Sequence, residues 1–140
     1  MKILIAVDGS ACSTRAVRYV TKHLRFFGKR PSVTLLHLDP PILERVSNHV
    51  SPEDIARFHE KNGKAAVRTA KAILTKARVP HREKLLVGDP DGAIARTAKE
   101  DRCNMIVMGS HGHGALKGLF LGSVVTKVLA QTSIPVLVVR

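Results

Sequence analysis

Five apolar runs recur along the chain, at residues 3–7, 33–38, 84–87, 105–108 and 134–139. Runs this short suit strands covered on both faces of a parallel sheet. Between them the period changes to that of helices. From residue 10 to about 28, Ala16, Val17, Val20, Leu24 and Phe27 share one face, while Arg15, Arg18, Lys22, Arg25 and Lys29 take the opposite one. This predicts an amphipathic helix with Ser10 as its cap and its end near Gly28. Residues 52–77 repeat the pattern, with Pro52 in the first turn, Val67, Ala70, Ile73 and Leu74 inward, and Arg57, Lys61, Lys64, Arg68 and Lys71 outward. Glu53 with Arg57 and Glu60 with Lys64 have the favourable i,i+4 order. Helices are also expected over 91–101 and 123–132, and residues 39–51 form a longer connection.

Five strands alternating with four helices predict a doubly wound α/β sheet with right-handed crossovers. Ligands of such sheets bind beyond the carboxyl ends of the strands, where strand order reverses. With the first strand central and the fourth beside it, Asp8-Gly9-Ser10 and Met108-Gly109 converge on one crevice.

The chemistry concentrates in residues 108–124, a glycine-rich stretch that leaves the fourth strand and feeds the last helix. Gly109, Gly112 and Gly122 can take backbone angles closed to other residues and let main-chain N–H groups approach an anion. Ser123 can cap the following helix and offer a hydroxyl. These features predict a bound phosphate. The stretch lacks Gly-x4-Gly-Lys-Ser/Thr and is not a Walker loop. His111-Gly112-His113 also differs from the His-x-Gly-His of nucleotidyltransferases; both histidines are phosphate contacts, ligands of an adventitious metal, or polar loop residues. Lys117 reaches a terminal phosphate as a point charge or remains solvated. Asp8 either caps the first helix or contacts a ribose or bridging metal, for which magnesium suits hard oxygen ligands.

A chain of 140 residues fits one domain, and 44% hydrophobic with 24% charged residues is ordinary for a globular protein. No apolar run nears the roughly 20 residues of a membrane span. The first run is too short for a secretory core and lacks a cleavage pattern. Cys12 and Cys103 stand far apart without metal-ligand spacing, so a cytoplasmic location is expected, with Cys12 a packing residue or a reactive thiol in a first helical turn. The net charge of +12 calls for anionic partners or serves solubility. An alternative function is nucleic-acid binding through the basic faces of the first two helices, at Arg15, Arg18, Arg25, Arg57, Lys64 and Arg68. Four Phe, one Tyr and no Trp weigh against base stacking as its main attraction. No general base, arginine finger or Walker aspartate stands in the motifs, so hydrolysis is expected to be slow if it occurs. An edge strand between Ile134 and Val139 would offer unpaired backbone groups to a second copy.

The spacing Gly109-x2-Gly112-x9-Gly122-Ser123, with Ala6-Val7-Asp8-Gly9-Ser10 near the start and Ile134-Pro135-Val136-Leu137-Val138-Val139 at the end, resembles the ATP-binding branch of the universal stress protein family. Leu35-Leu36-His37-Leu38 and Gly88-Asp89-Pro90 extend the resemblance over the whole chain. The resemblance implies a Rossmann-like (HUP-type) five-stranded sheet of order 3-2-1-4-5, binding ATP, ADP or AMP, and a homodimer through the last strand. It implies phosphate contacts at Gly109, Gly112, Gly122, Ser123 and Val124. The adenosine end would be lined by Ala6, Asp8, Leu38 and Met108, with Val7 and His111 in the same binding set. Leu38 replaces a valine common in the family, and Ala6 a proline found in some members.

Overall fold

Residues 1–43, 49–113 and 121–140 are described by a computed structural model, the side chain of Asp91 excepted. The order is β1 (Lys2–Ala6), α1 (Ala11–Lys22), a 3-10 helix (Leu24–Phe27), β2 (Ser32–Asp39), α2 (Pro52–Lys76), β3 (His81–Val87), α3 (Pro90–Glu100), β4 (Met105–Gly109), α4 (Ser123–Gln131) and β5 (Val136–Val139). All strands are parallel and lie in the order β3-β2-β1-β4-β5, the doubly wound arrangement expected.

Successive side chains of a strand point to opposite faces, and each face here is covered by helices. Ile3 and Ile5 of β1 and Val33 and Leu35 of β2 pack with Val17 and Val20 of α1 and Val67 and Leu74 of α2. Leu4, Leu36 and Ile106 pack on the other face with Ile94 and Ala98 of α3 and Val125 and Val128 of α4. Because the chain crosses from β1 to β2 on one side and later to β4 on the other, strand order reverses between β1 and β4. The crevice expected there is where the site lies.

Local chemistry sets the element ends. Ser10 caps α1, its Oγ accepting from Ser13 N at 3.1 Å, and Ser51 caps α2 the same way from Asp54 N at 3.1 Å. The first helix does not run to Gly28 as expected. It stops at Lys22, where His23 N–H and Nδ1–H both donate to the Tyr19 carbonyl, and the chain tightens into the 3-10 helix. β3 starts at His81, three residues before its apolar run, because an edge strand tolerates His81, Arg82 and Glu83. β5 starts at Val136 rather than Ile134. On α2 the Glu60–Lys64 pair forms, but Arg57 reaches back to Asp54 instead of Glu53.

Candidate functional site

A crevice of about 670 Å³ opens at the carboxyl ends of β1 and β4, within the range of small-molecule sites. Ala6, Val7 and Asp8 enter it from β1 and its exit, Leu38 from β2, and Met108 and Gly109 from β4. His111 and Gly112 come from the following loop, and Gly122, Ser123 and Val124 from the start of α4. Among the described residues, the fold thus brings together those that the family resemblance implies as nucleotide contacts. Lys117 lies outside the described residues.

Asp8 is the carboxylate at the switch point. Its Oδ1 accepts from Ser10 N at 2.9 Å and its Oδ2 from His113 N at 3.2 Å, while its own carbonyl lies 3.0 Å from His113 Nε2. Ser10, not Asp8, therefore caps α1. Burial opposes ionisation of Asp8, but hydrogen bonds from Ser10, Ser13 and the His113 amide outweigh it and hold the carboxyl below its ordinary range.

Of the two uses expected of the three glycines, the unusual backbone angles are not taken. None has positive φ; among the described residues the glycines that do are Gly9, Gly28 and Gly88. What the three provide is space. A Cβ on Gly109 would lie 2.6 Å from the carbonyl carbon of Cys12, so this glycine lets β4 pass against the first turn of α1. A Cβ on Gly112 would lie 2.7 Å from Asp8 Oδ2, and one on Gly122 would lie 3.2 Å from the Ser110 carbonyl oxygen. Ser123 is not a cap either. Gly122 holds that position in extended conformation with no side-chain acceptor, and Ser123 begins the helix. A helix start of this kind leaves its first amides, those of Ser123 and Val124 beside the crevice, without intrahelical partners. Such amides, with the helix dipole behind them, bind anions.

Two further polar residues that line the crevice, His37 and Asp39, were not singled out for the site. His37, buried in β2, donates from Nδ1 to the Val7 carbonyl at 2.9 Å and so fixes the backbone beside Asp8. Asp39, also buried, accepts from His59 Nδ1 at 2.6 Å and Asn62 Nδ2 at 3.1 Å, tying the end of β2 to α2. The signal available was one histidine inside the apolar run Leu35-Leu36-His37-Leu38. Both cysteines are free, and the Arg15 guanidinium donates to Cys12 Sγ at 2.8 Å. Among the described residues no group of three His, Cys, Asp or Glu side chains is gathered for a metal, and no helix is long and apolar enough to cross a membrane.

Comparison with known proteins places this geometry among relatives. The model of the Universal stress protein family matches residues 1–140. The "Universal stress protein in QAH/OAS sulfhydrylase 3'region" of Thermus aquaticus is 35% identical over 99% of this chain and 97% of its own length. Universal stress protein Slr1230 of Synechocystis is 31% identical over 99% of this chain, which spans 42% of that protein. The structure of MJ0577 from Methanocaldococcus jannaschii superposes with a TM-score of 0.78 at 30% identity, covering 99% of this chain and 94% of that one. The universal stress protein of Archaeoglobus fulgidus in complex with dAMP shares the fold, with a TM-score of 0.69 at 24% identity over 100% and 98% of the two chains.

Proposed function

The chain belongs to the universal stress protein family, and from that membership we propose that it is an ATP-binding regulatory protein of the stress response, acting in the cytoplasm. The observation that carries the proposal is the uncapped start of α4, whose amides at Ser123 and Val124 border the crevice between β1 and β4. Gly122, Ser123 and Val124 would hold phosphate through main-chain N–H groups and the Ser123 hydroxyl. Ala6, Val7, Leu38 and Met108 supply apolar walls for the adenosine end. A protein of the same fold, from Archaeoglobus fulgidus, is in complex with dAMP.

The residues fit a magnesium ion only in a limited way: Asp8 is an ionised oxygen donor in the crevice, and the remaining ligands would be phosphate oxygens and water. Bound there, the ion would offset charge between Asp8 and the triphosphate. Since Asp8 also holds the His113 amide, nucleotide and loop meet at one carboxylate, and occupancy changes how the loop is held. Hydrolysis is slow in this scheme. A carboxyl kept below its ordinary pKa is a weak base, far from the match with working pH that efficient proton transfer needs. The protein would act as a homodimer through β5, which among the described residues pairs with β4 alone and leaves its outer edge open.

Thermal unfolding with and without Mg-ATP tests the assignment. Ligand at 100 times its dissociation constant adds about 2.7 kcal/mol. Wild type should shift to higher temperature, while Gly122→Val should fold and lose the shift. An unmoved wild-type transition, or ATP turnover at a kinase-like rate, would overturn it.

A further inference from the structure

The positive charge of the chain is unevenly neutralised. On α2, Arg57 pairs with Asp54, Lys64 with Glu60 and Lys71 with Glu83. The outer face of α1 differs. Arg18 and Lys22 lead along it to Arg25 on the 3-10 helix, and no acidic residue occurs between Gly9 and Leu38. This row ends at a second cavity of about 750 Å³ beside the amino ends of β2 and β3, at the opposite end of the sheet from the crevice. Arg25, Lys29, Arg30 and Arg78 line it, over an apolar floor that includes Leu24 and Val79. Among the described residues, none of these four cations, nor Arg18 or Lys22, has a carboxylate partner.

An aromatic platform adjoins this row. Tyr19 stacks on His23 with ring centroids 4.2 Å apart, and His23 on Phe26 at 5.8 Å. Phe26 is 77% exposed on the same short helix as Arg25. Burying that ring against solvent would be favourable, yet the fold leaves it out and props it from behind.

We propose that this end of the molecule binds single-stranded nucleic acid, with phosphates along Arg18, Lys22, Arg25, Lys29, Arg30 and Arg78 and an unstacked base against Phe26 or in the adjoining cavity. Two features select this ligand over other anions. The cations run from Arg18 and Lys22 in the last turns of α1, about 6 Å apart along its axis, through Arg25 on the 3-10 helix to Lys29, Arg30 and Arg78 at the cavity. Such a succession matches a chain of phosphates better than one small polyphosphate. The exposed ring and apolar floor match a base, and bases are available for stacking in a single strand and not in a duplex. The scarcity of aromatics in the composition hid this, because three of the five Phe and Tyr side chains are Tyr19, Phe26 and Phe27, within one short stretch.

The test is fluorescence anisotropy of a labelled oligouridylate of roughly twelve nucleotides, a length single modules cover, with the intact chain. Wild type should bind with a log–log salt slope of about −4, from about six phosphates neutralised at roughly 0.7 each. Phe26→Ala, a surface change, should weaken binding roughly tenfold with the slope kept. The double variant Arg30→Glu, Arg78→Glu should weaken it more than tenfold and flatten the slope. Both variants should keep the Mg-ATP thermal shift, and Gly122→Val should keep oligonucleotide binding. Undiminished affinity of Phe26→Ala, equal affinity for duplex or for base-free polyphosphate, or loss of oligonucleotide binding in Gly122→Val would each overturn the assignment.

Discussion

Asp8 and His113, 105 positions apart in the chain, are joined twice: the His113 amide donates to the Asp8 carboxylate at 3.2 Å, and the His113 ring meets the Asp8 carbonyl at 3.0 Å. The exits of β1 and β4 are therefore tied across the mouth of the crevice. Behind Asp8, His37 holds the Val7 carbonyl from a buried position, so one end of the tie is fixed by the core. The other end is His113, in the loop that follows β4. On the proposed nucleotide reading, affinity depends on how little room the tie occupies.

Gly112 is where that room is smallest. A methyl group there would sit 2.7 Å from Asp8 Oδ2, and the carboxylate has no free direction in which to retreat because Ser10 and His113 hold both oxygens. Gly112→Ala should push the loop off Asp8 and weaken ATP binding roughly tenfold or more, which is about 1.4 kcal/mol. Isothermal titration reads the affinity. Gly112 has no positive φ to lose, so the unliganded stability should fall only by the share of the displaced His113 hydrogen bonds, about 1 kcal/mol.

The charge of Asp8 makes a separate prediction with a definite sign. Its folded pKa lies below the ordinary value, so the stability it supplies is fully present above about pH 4 and is lost as pH falls through the lower folded value. Asp8→Asn should be less stable than wild type at neutral pH, and the gap should narrow below about pH 4 in urea titrations. In the same pair of proteins, chelation of magnesium should weaken ATP binding to wild type and leave Asp8→Asn nearly indifferent.

Gly109 should behave in the opposite way to Gly112. The missing Cβ is filled by backbone of Cys12 and Ser13, which cannot swing aside as a side chain does. Gly109→Ala should thus cost about 1–3 kcal/mol of folding stability through overpacking, read by chemical denaturation. The protein that remains folded should bind ATP with an affinity close to wild type.

These contrasts show what the sequence disclosed and what it concealed. The alternation of strands and helices was legible because apolar runs and helical periods reflect burial, which dominates folding. The strand order, and with it the convergence of Asp8 with Met108 and Gly109, came from the family resemblance and not from the periodicity. Ser10 and Pro52 marked their helix starts because capping is local chemistry. The functions of Gly109 and Gly112 were not legible, since a glycine used for φ and one used for clearance look identical until the opposing backbone is in place. Ser123 misled for a related reason: Gly122, one position earlier, already takes the cap conformation. The cluster of His37, Asp39 and His59 joins β2 to α2 over 20 or more positions, and no local pattern signals it.

The open edge of β5 supplies the last prediction. In the parallel ladder with β4, the carbonyl of Pro135 accepts from Ile106 and that of Val139 from Ser110. Strand alternation then turns the peptide groups of Val136 and Val138 away from β4, toward the free edge. An antiparallel dimer across this edge needs the Val138 N–H as a donor. Val138→Pro removes that donor and leaves the bonds to β4 in place, and proline is tolerated on an edge strand whose N–H faces outward. Light scattering should find wild type as a dimer and Val138→Pro as a monomer at micromolar concentration, with far-UV circular dichroism unchanged. A wild-type monomer, or a proline variant that remains dimeric, would place any self-association elsewhere.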